Sequence, residues 1–123
     1  MTREQMQDFA RAWIAAWNRR DLEAVLAHFT EEARFRSPKA LALTGSADLQ
    51  GKPALRAYWQ AALGSIGEIR FVLDRVVADP AAREMVVLYE GHVDGRRTRA
   101  AEAMRFDAAG RQIEGEALYG APL

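Results

Sequence analysis

The sequence predicts an α+β fold, and three observations carry that prediction. Apolar residues recur at three- and four-residue steps through the first half, as on amphipathic helices. From Glu68 onward the step becomes two, as on half-buried strands. The strand region is punctuated by Asp79-Pro80-Ala81-Ala82, Asp94-Gly95 and Asp107-Ala108-Ala109-Gly110, which are turn sequences. Three helices followed by strands on tight turns form one α+β domain spanning residues 1–123, its sheet mainly antiparallel.

Each element has its own signal. Thr2 with Gln5 three positions on is a capping-box pattern, and Met6, Phe9, Ala10, Trp13, Ala16 and Trp17 make one apolar helical face. Asn18-Arg19-Arg20 closes that helix, and Asp21 is placed to cap a shorter one running to about His28. Ala33 to Ser37 alternates small or apolar with charged residues as a short strand, which Pro38 stops. Lys39 to Gln50 shows no period and reads as a loop or irregular hairpin. Gly51-Lys52-Pro53 opens a third helix with Leu55, Trp59, Ala62 and Leu63 as its stripe, ending at Gly64 or Gly67. Strands follow from Ile69, from Arg83 to Val93, from Arg96 to Phe106 and from Arg111 to Tyr119.

With 123 residues and half of them hydrophobic, the chain is long enough to bury about two-thirds of its unfolded surface. Seventeen basic residues balance seventeen acidic ones, and no basic-aromatic interleaving points to nucleic acid. No apolar run approaches the length of about 20 residues that a membrane span needs, and Met1 leads directly into a helix without an apolar leader. The expected location is cytoplasmic. Without cysteine there is neither a disulfide framework nor a thiolate metal site, and His28 and His92 stand in no ligand spacing. No metal or cofactor is expected.

The Asp94-Gly95 hairpin sets a register in which Val87 faces Glu102, Met85 faces Met104, Glu90 faces Arg99 and His92 faces Arg97. Placing Ile113 near Met104 sets Gly115 beside Glu102 and Ala117 beside Ala100. Glu102 then shares a face with Met104 and Phe106, where a carboxylate is costly unless paired, neutralised or wetted by a cavity. Small neighbours would leave room for such a cavity; the plainer alternative is an acid hydrogen-bonded to a tryptophan or tyrosine. Met85 to Tyr89 is apolar on both faces, and Val86, Leu88, Ala101, Ala103 and Leu118 on the far face suggest a homodimer, with Glu90 and Arg99 at its rim.

Three stretches, Trp13 to Leu22, His28 to Phe35, and Ala103 to Asp107 with Gly110-Arg111, carry a resemblance to a known family. They resemble the SnoaL-like and ketosteroid-isomerase-like branch of the nuclear transport factor 2-like superfamily. The resemblance implies a cone with three N-terminal helices on a curved sheet enclosing an apolar pocket. Where the isomerase pattern has a tyrosine donor, a base and a protonated acid, this sequence has Trp13, Ser37 and Glu102. The missing base argues against steroid isomerisation by that mechanism. Glu102 is the catalytic candidate, with Trp13, Trp17, Phe35, Ser37, Tyr58, Trp59, Met104 and Tyr119 as contacts for a small hydrophobic molecule. The expected function is that of a pocket protein for a small apolar molecule; if it is an enzyme, it is an acid/base isomerase, cyclase or lyase using one buried acid. The alternatives are a non-catalytic hydrophobic-ligand binder and a dimeric interaction module.

Overall fold

The computed structural model describes residues 1–123. Helix α1 runs Arg3–Asn18, and both halves of the capping box form: Thr2 Oγ1 accepts from Gln5 N at 3.0 Å, while Gln5 Oε1 accepts from Thr2 N at 2.8 Å. Its buried face is Met6, Phe9, Ala10, Trp13, Ile14, Ala16 and Trp17. Asp21 caps α2 (Leu22–Ala27) by accepting from Ala24 N at 3.1 Å. Between the two helices Arg20 adopts a positive φ of 57° and donates to the carbonyls of Leu63 and Ile66. The turn is thereby tied to the far end of the later helix α4 (Lys52–Gly64).

Strand β1 (Phe29–Arg36) starts earlier than its alternation suggested. Lys39 to Gln50, expected to be irregular, instead contains helix α3 (Pro38–Thr44) and a short strand β2 (Asp48–Gln50). The local signals for α3 are a Ser37 cap accepting from Lys39 N at 3.2 Å, Pro38 in the first turn, and Gly45 ending the helix at φ 84°. Only Ala40 of α3 is buried, so no apolar stripe advertises it.

Strands β3 (Ile69–Asp79), β4 (Glu84–Val93), β5 (Arg96–Phe106) and β6 (Gln112–Pro122) complete a six-stranded sheet in the order β2-β1-β6-β5-β4-β3. The pair β1–β6 is parallel and every other pair antiparallel. Asp94 and Gly95 both take positive φ, 50° and 81°, as a two-residue hairpin requires, and the β4–β5 register is the expected one. The β5–β6 register lies two residues away from expectation: Met104 faces Gly115, Glu102 faces Ala117 and Ala100 faces Tyr119. One residue comes from the turn, which places Gln112 opposite Phe106, and one from a bulge before Glu114. A shift of two keeps every side chain on its face, so Ala117 still points inward.

The helices cover one face of the sheet, and 24 buried apolar residues form a single core between the layers. Helix α1 lies along edge strand β3. Asn18 donates to Phe71 O at 2.9 Å and accepts from Phe71 N at 2.6 Å, while Arg3 reaches Ala78 O at 3.0 Å. The outer face is dotted with apolar groups: Val77 and Leu118 are exposed and Val86 and Leu88 half-buried. Glu90 and Arg99 are opposed in register, but their charges are satisfied elsewhere. Glu90 binds His92 at 3.1 Å and Arg97 at 3.3 Å, and Arg99 binds Asp74. No helix is long and apolar enough to cross a membrane.

Candidate functional site

The alternation of β5 turns Ala100, Glu102, Met104 and Phe106 inward, all buried. Between this face and the helices lies a cavity of about 400 Å³. Aromatic rings from four elements build its walls: Trp13 and Trp17 from α1, Phe35 from β1, Trp59 from α4 and Phe71 from β3. They brace one another edge to face, Trp17 against Trp59 at 5.5 Å between centroids and Phe35 against Trp59 at 4.9 Å. Gly115 makes the Phe35 wall possible, because a side chain there would meet the Phe35 ring at 3.0 Å.

Glu102 stands inside with 4% of its surface exposed, flanked on the neighbouring strands by Val87 and Ala117. Its carboxyl makes no hydrogen bond to another protein group. Desolvation alone pushes its pKa up to about 8, so the acid is mainly protonated at neutral pH. A protonated carboxyl offers one O–H donor and keeps an acceptor oxygen. It is the only carboxyl lining the cavity. Three other acids are paired with basic residues: Asp48 with Arg36 at 2.7 Å, Glu31 with Lys52 at 3.6 Å, and Asp74 with Arg99.

Three phenols from three elements share the cavity with Glu102: Tyr58 of α4, Tyr89 of β4 and Tyr119 of β6. Burial raises the pKa of each, and the nearby Glu102 carboxyl raises it further, so all three remain protonated donors across the physiological range. Tyr58 Oη lies 3.5 Å from Ser37 Oγ. Ser37 itself is fully buried behind this contact and caps α3.

Of the candidates named from the sequence, Glu102, Trp13, Trp17, Phe35, Tyr58, Trp59 and Tyr119 meet around the cavity. Met104 lies one pleat further along β5, buried opposite Gly115 and outside the lining, as is Ser37. Lining residues missed from the sequence include Phe71, Gly91, Lys39 and Arg96. Arg96 shares the parity of Glu102 on β5 and lines the cavity. Counting back in twos from Glu102 would have found it. Lys39 was hidden by the unrecognised helix α3. His28 packs against Phe9 at 4.6 Å between ring centroids, and burial and Arg111 lower its pKa, which favours a neutral ring. His92 lies on the outer face, within hydrogen-bond reach of Glu90 and Arg70. No group of three or more His, Cys, Asp or Glu side chains converges anywhere in the molecule.

Helices packed against an unclosed curved sheet, with an aromatic cavity between the layers, define the cone-shaped class of the nuclear transport factor 2-like superfamily. The SnoaL-like domain model matches residues 10–114, and the chain belongs to that SnoaL-like family. It is similar to a SnoaL-like protein of unknown function from Burkholderia thailandensis, at 31% identity over 98% of both chains and a TM-score of 0.87. An NTF2-like protein of unknown function from Burkholderia pseudomallei is 24% identical, with 98% of this chain and 92% of that one covered and a TM-score of 0.80. A protein of unknown function with a cystatin-like fold from Methylobium petroleophilum is also 24% identical. There the match covers 100% of this chain and 80% of that one, with a TM-score of 0.80. The last two likenesses speak to fold alone.

Proposed function

We propose that this chain is an enzyme of the isomerase, cyclase or lyase type acting on a small, largely apolar molecule that carries a carbonyl or hydroxyl group. The observation that carries this reading is Glu102, a cavity-lining acid whose O–H has no protein acceptor. A substrate oxygen placed beside it would receive that hydrogen bond, with a phenol of Tyr58, Tyr89 or Tyr119 as a second donor. Donors fixed in advance beside the substrate oxygen stabilise developing negative charge without reorganising. The protonated acid supplies the proton, and its ionised form takes one back.

A second reading, a non-catalytic binder, is favoured by one specific observation. Ser37, at the position of the base in the resembled isomerase pattern, is buried against Tyr58, and no second carboxyl lines the cavity. A thermal-shift screen against steroids, aromatic ketones, lactones and fatty acids separates the two. A ligand at 100 times its Kd adds about 2.7 kcal/mol, or roughly 10 °C in Tm for a domain of this size. Stabilisation followed by consumption of the compound supports the enzyme. Stabilisation without consumption supports the binder, and no stabilisation by any class overturns both.

We also propose that two copies pair through the outer sheet face, where Val77, Leu118, Val86 and Leu88 form the apolar centre. Sedimentation at micromolar concentration is expected to give the mass of a dimer, and the double variant Val77→Glu, Leu118→Glu that of a monomer. A monomeric parent protein would remove the proposal.

A further inference from the structure

Charge is distributed unevenly within the cavity. Exposure falls along β5 from Arg96 through half-buried Thr98 to buried Ala100 and Glu102, so Arg96 stands at the mouth and Glu102 deep inside. Lys39, from the first turn of α3, reaches the same mouth and places Nζ 4.3 Å from the centre of the Tyr119 ring. Neither cation meets a carboxylate, although the sheet arginines Arg97, Arg99 and Arg105 each do. Burial disfavours the charge on Lys39, and its charged neighbour Arg96 adds repulsion. The only acid of the lining is Glu102, which burial keeps mainly neutral at pH 7. A chain with no net charge thus presents two uncompensated positive charges at the opening of an apolar cavity.

We infer that the ligand of this cavity is an amphiphilic organic anion, with its carboxylate or sulfonate held at the mouth by Lys39 and Arg96 and its apolar body among the aromatic walls. This rests on the small-molecule reading above and narrows its substrate class. Tyr119, beneath the Lys39 ammonium, faces Ala100 on β5, the strand that also carries Arg96 and Glu102. An anion at the mouth would relieve the repulsion between the two cations and set which end of the molecule meets Glu102. Apolar contacts alone leave that orientation open.

Two fluorescent probes with one apolar body isolate the charge: anilinonaphthalene sulfonate and phenylnaphthylamine, the same molecule without the sulfonate. Titration of the whole protein and of the double variant Lys39→Gln, Arg96→Gln compares them; both residues are exposed, so the variant should fold. Loss of two charge contacts at the mouth is expected to weaken the sulfonate about tenfold, and to leave the neutral probe within about twofold. Equal weakening of both probes, or of neither, overturns the inference. Ala117→Phe, which fills the cavity beside Glu102, is expected to abolish both signals. Sulfonate binding that survives it lies outside the cavity and also overturns the inference. Binding of the neutral probe alone defeats the anion but keeps the small-molecule reading, whereas binding of neither probe defeats both.

Discussion

A Glu102→Gln variant is expected to melt above the parent protein at pH 8 and above, and to lose the parent's decline in stability through neutral pH. The sign follows from proton binding. In the unfolded chain Glu102 ionises near 4.5, and in the folded protein near 8, so between those values the folded state holds the extra proton. Stability from this group is fully present below about pH 4.5 and is lost as pH rises through about 8. Glutamine keeps the shape and a donor but has no charge to bury. His28 works in the opposite direction. Its lowered pKa adds stability as pH rises through the ordinary histidine value of 6.5, so the comparison must be parent against variant rather than parent alone. Melting curves from pH 4 to pH 9 read this directly, and parallel curves for the two proteins would show that Glu102 is not held neutral by burial. In the enzyme reading the same substitution lowers turnover by about 10²–10⁴-fold and leaves ligand affinity within a few-fold. Unchanged turnover would take Glu102 out of the mechanism.

Filling the cavity should have the largest effect on binding. Ala117 faces Glu102 from β6, is 4% exposed and lines the cavity, so the ring of Ala117→Phe enters open space instead of packed core. Affinity for any stabilising compound from the screen is expected to fall more than about a hundredfold, because the volume it needs is occupied. The folding cost should stay within the 1–3 kcal/mol typical of an overpacked site. Ala117→Leu applies the same test with a smaller group if the phenylalanine strains the sheet. Retained affinity in a folded variant would place the ligand elsewhere.

What the sequence disclosed and what it hid have the same physical origin. Strong local chemistry was legible: the Thr2–Gln5 box, the Asp21 cap and the Asp94-Gly95 hairpin each determine a few backbone angles by themselves. The hairpin register then carried Glu102 to its place opposite Val87. Helix α3 was illegible by periodicity because a helix with a single buried residue, Ala40, has no stripe to display. The β6 register was missed because it depends on a bulge and a turn one residue longer than the Asp107–Gly110 signal implied. The site was readable where it lies on strands with clear parity, as with Phe35 and Glu102. It was obscured where a residue arrives from an unseen element, as Lys39 does.

The parallel pairing of β1 with β6 has a consequence for how the chain reaches its native state. Strand β6 follows the other five strands in the chain, yet it sits inside the sheet between β1 and β5 and contributes Ala117 and Tyr119 to the cavity. Until it inserts, β1 and β5 each present an unpaired edge, and contacts between residues as distant as Phe35 and Gly115 must wait until β6 has been made. Nascent chains on the ribosome, or proteins truncated before Gln112, are therefore expected to expose two template edges and aggregate by strand addition.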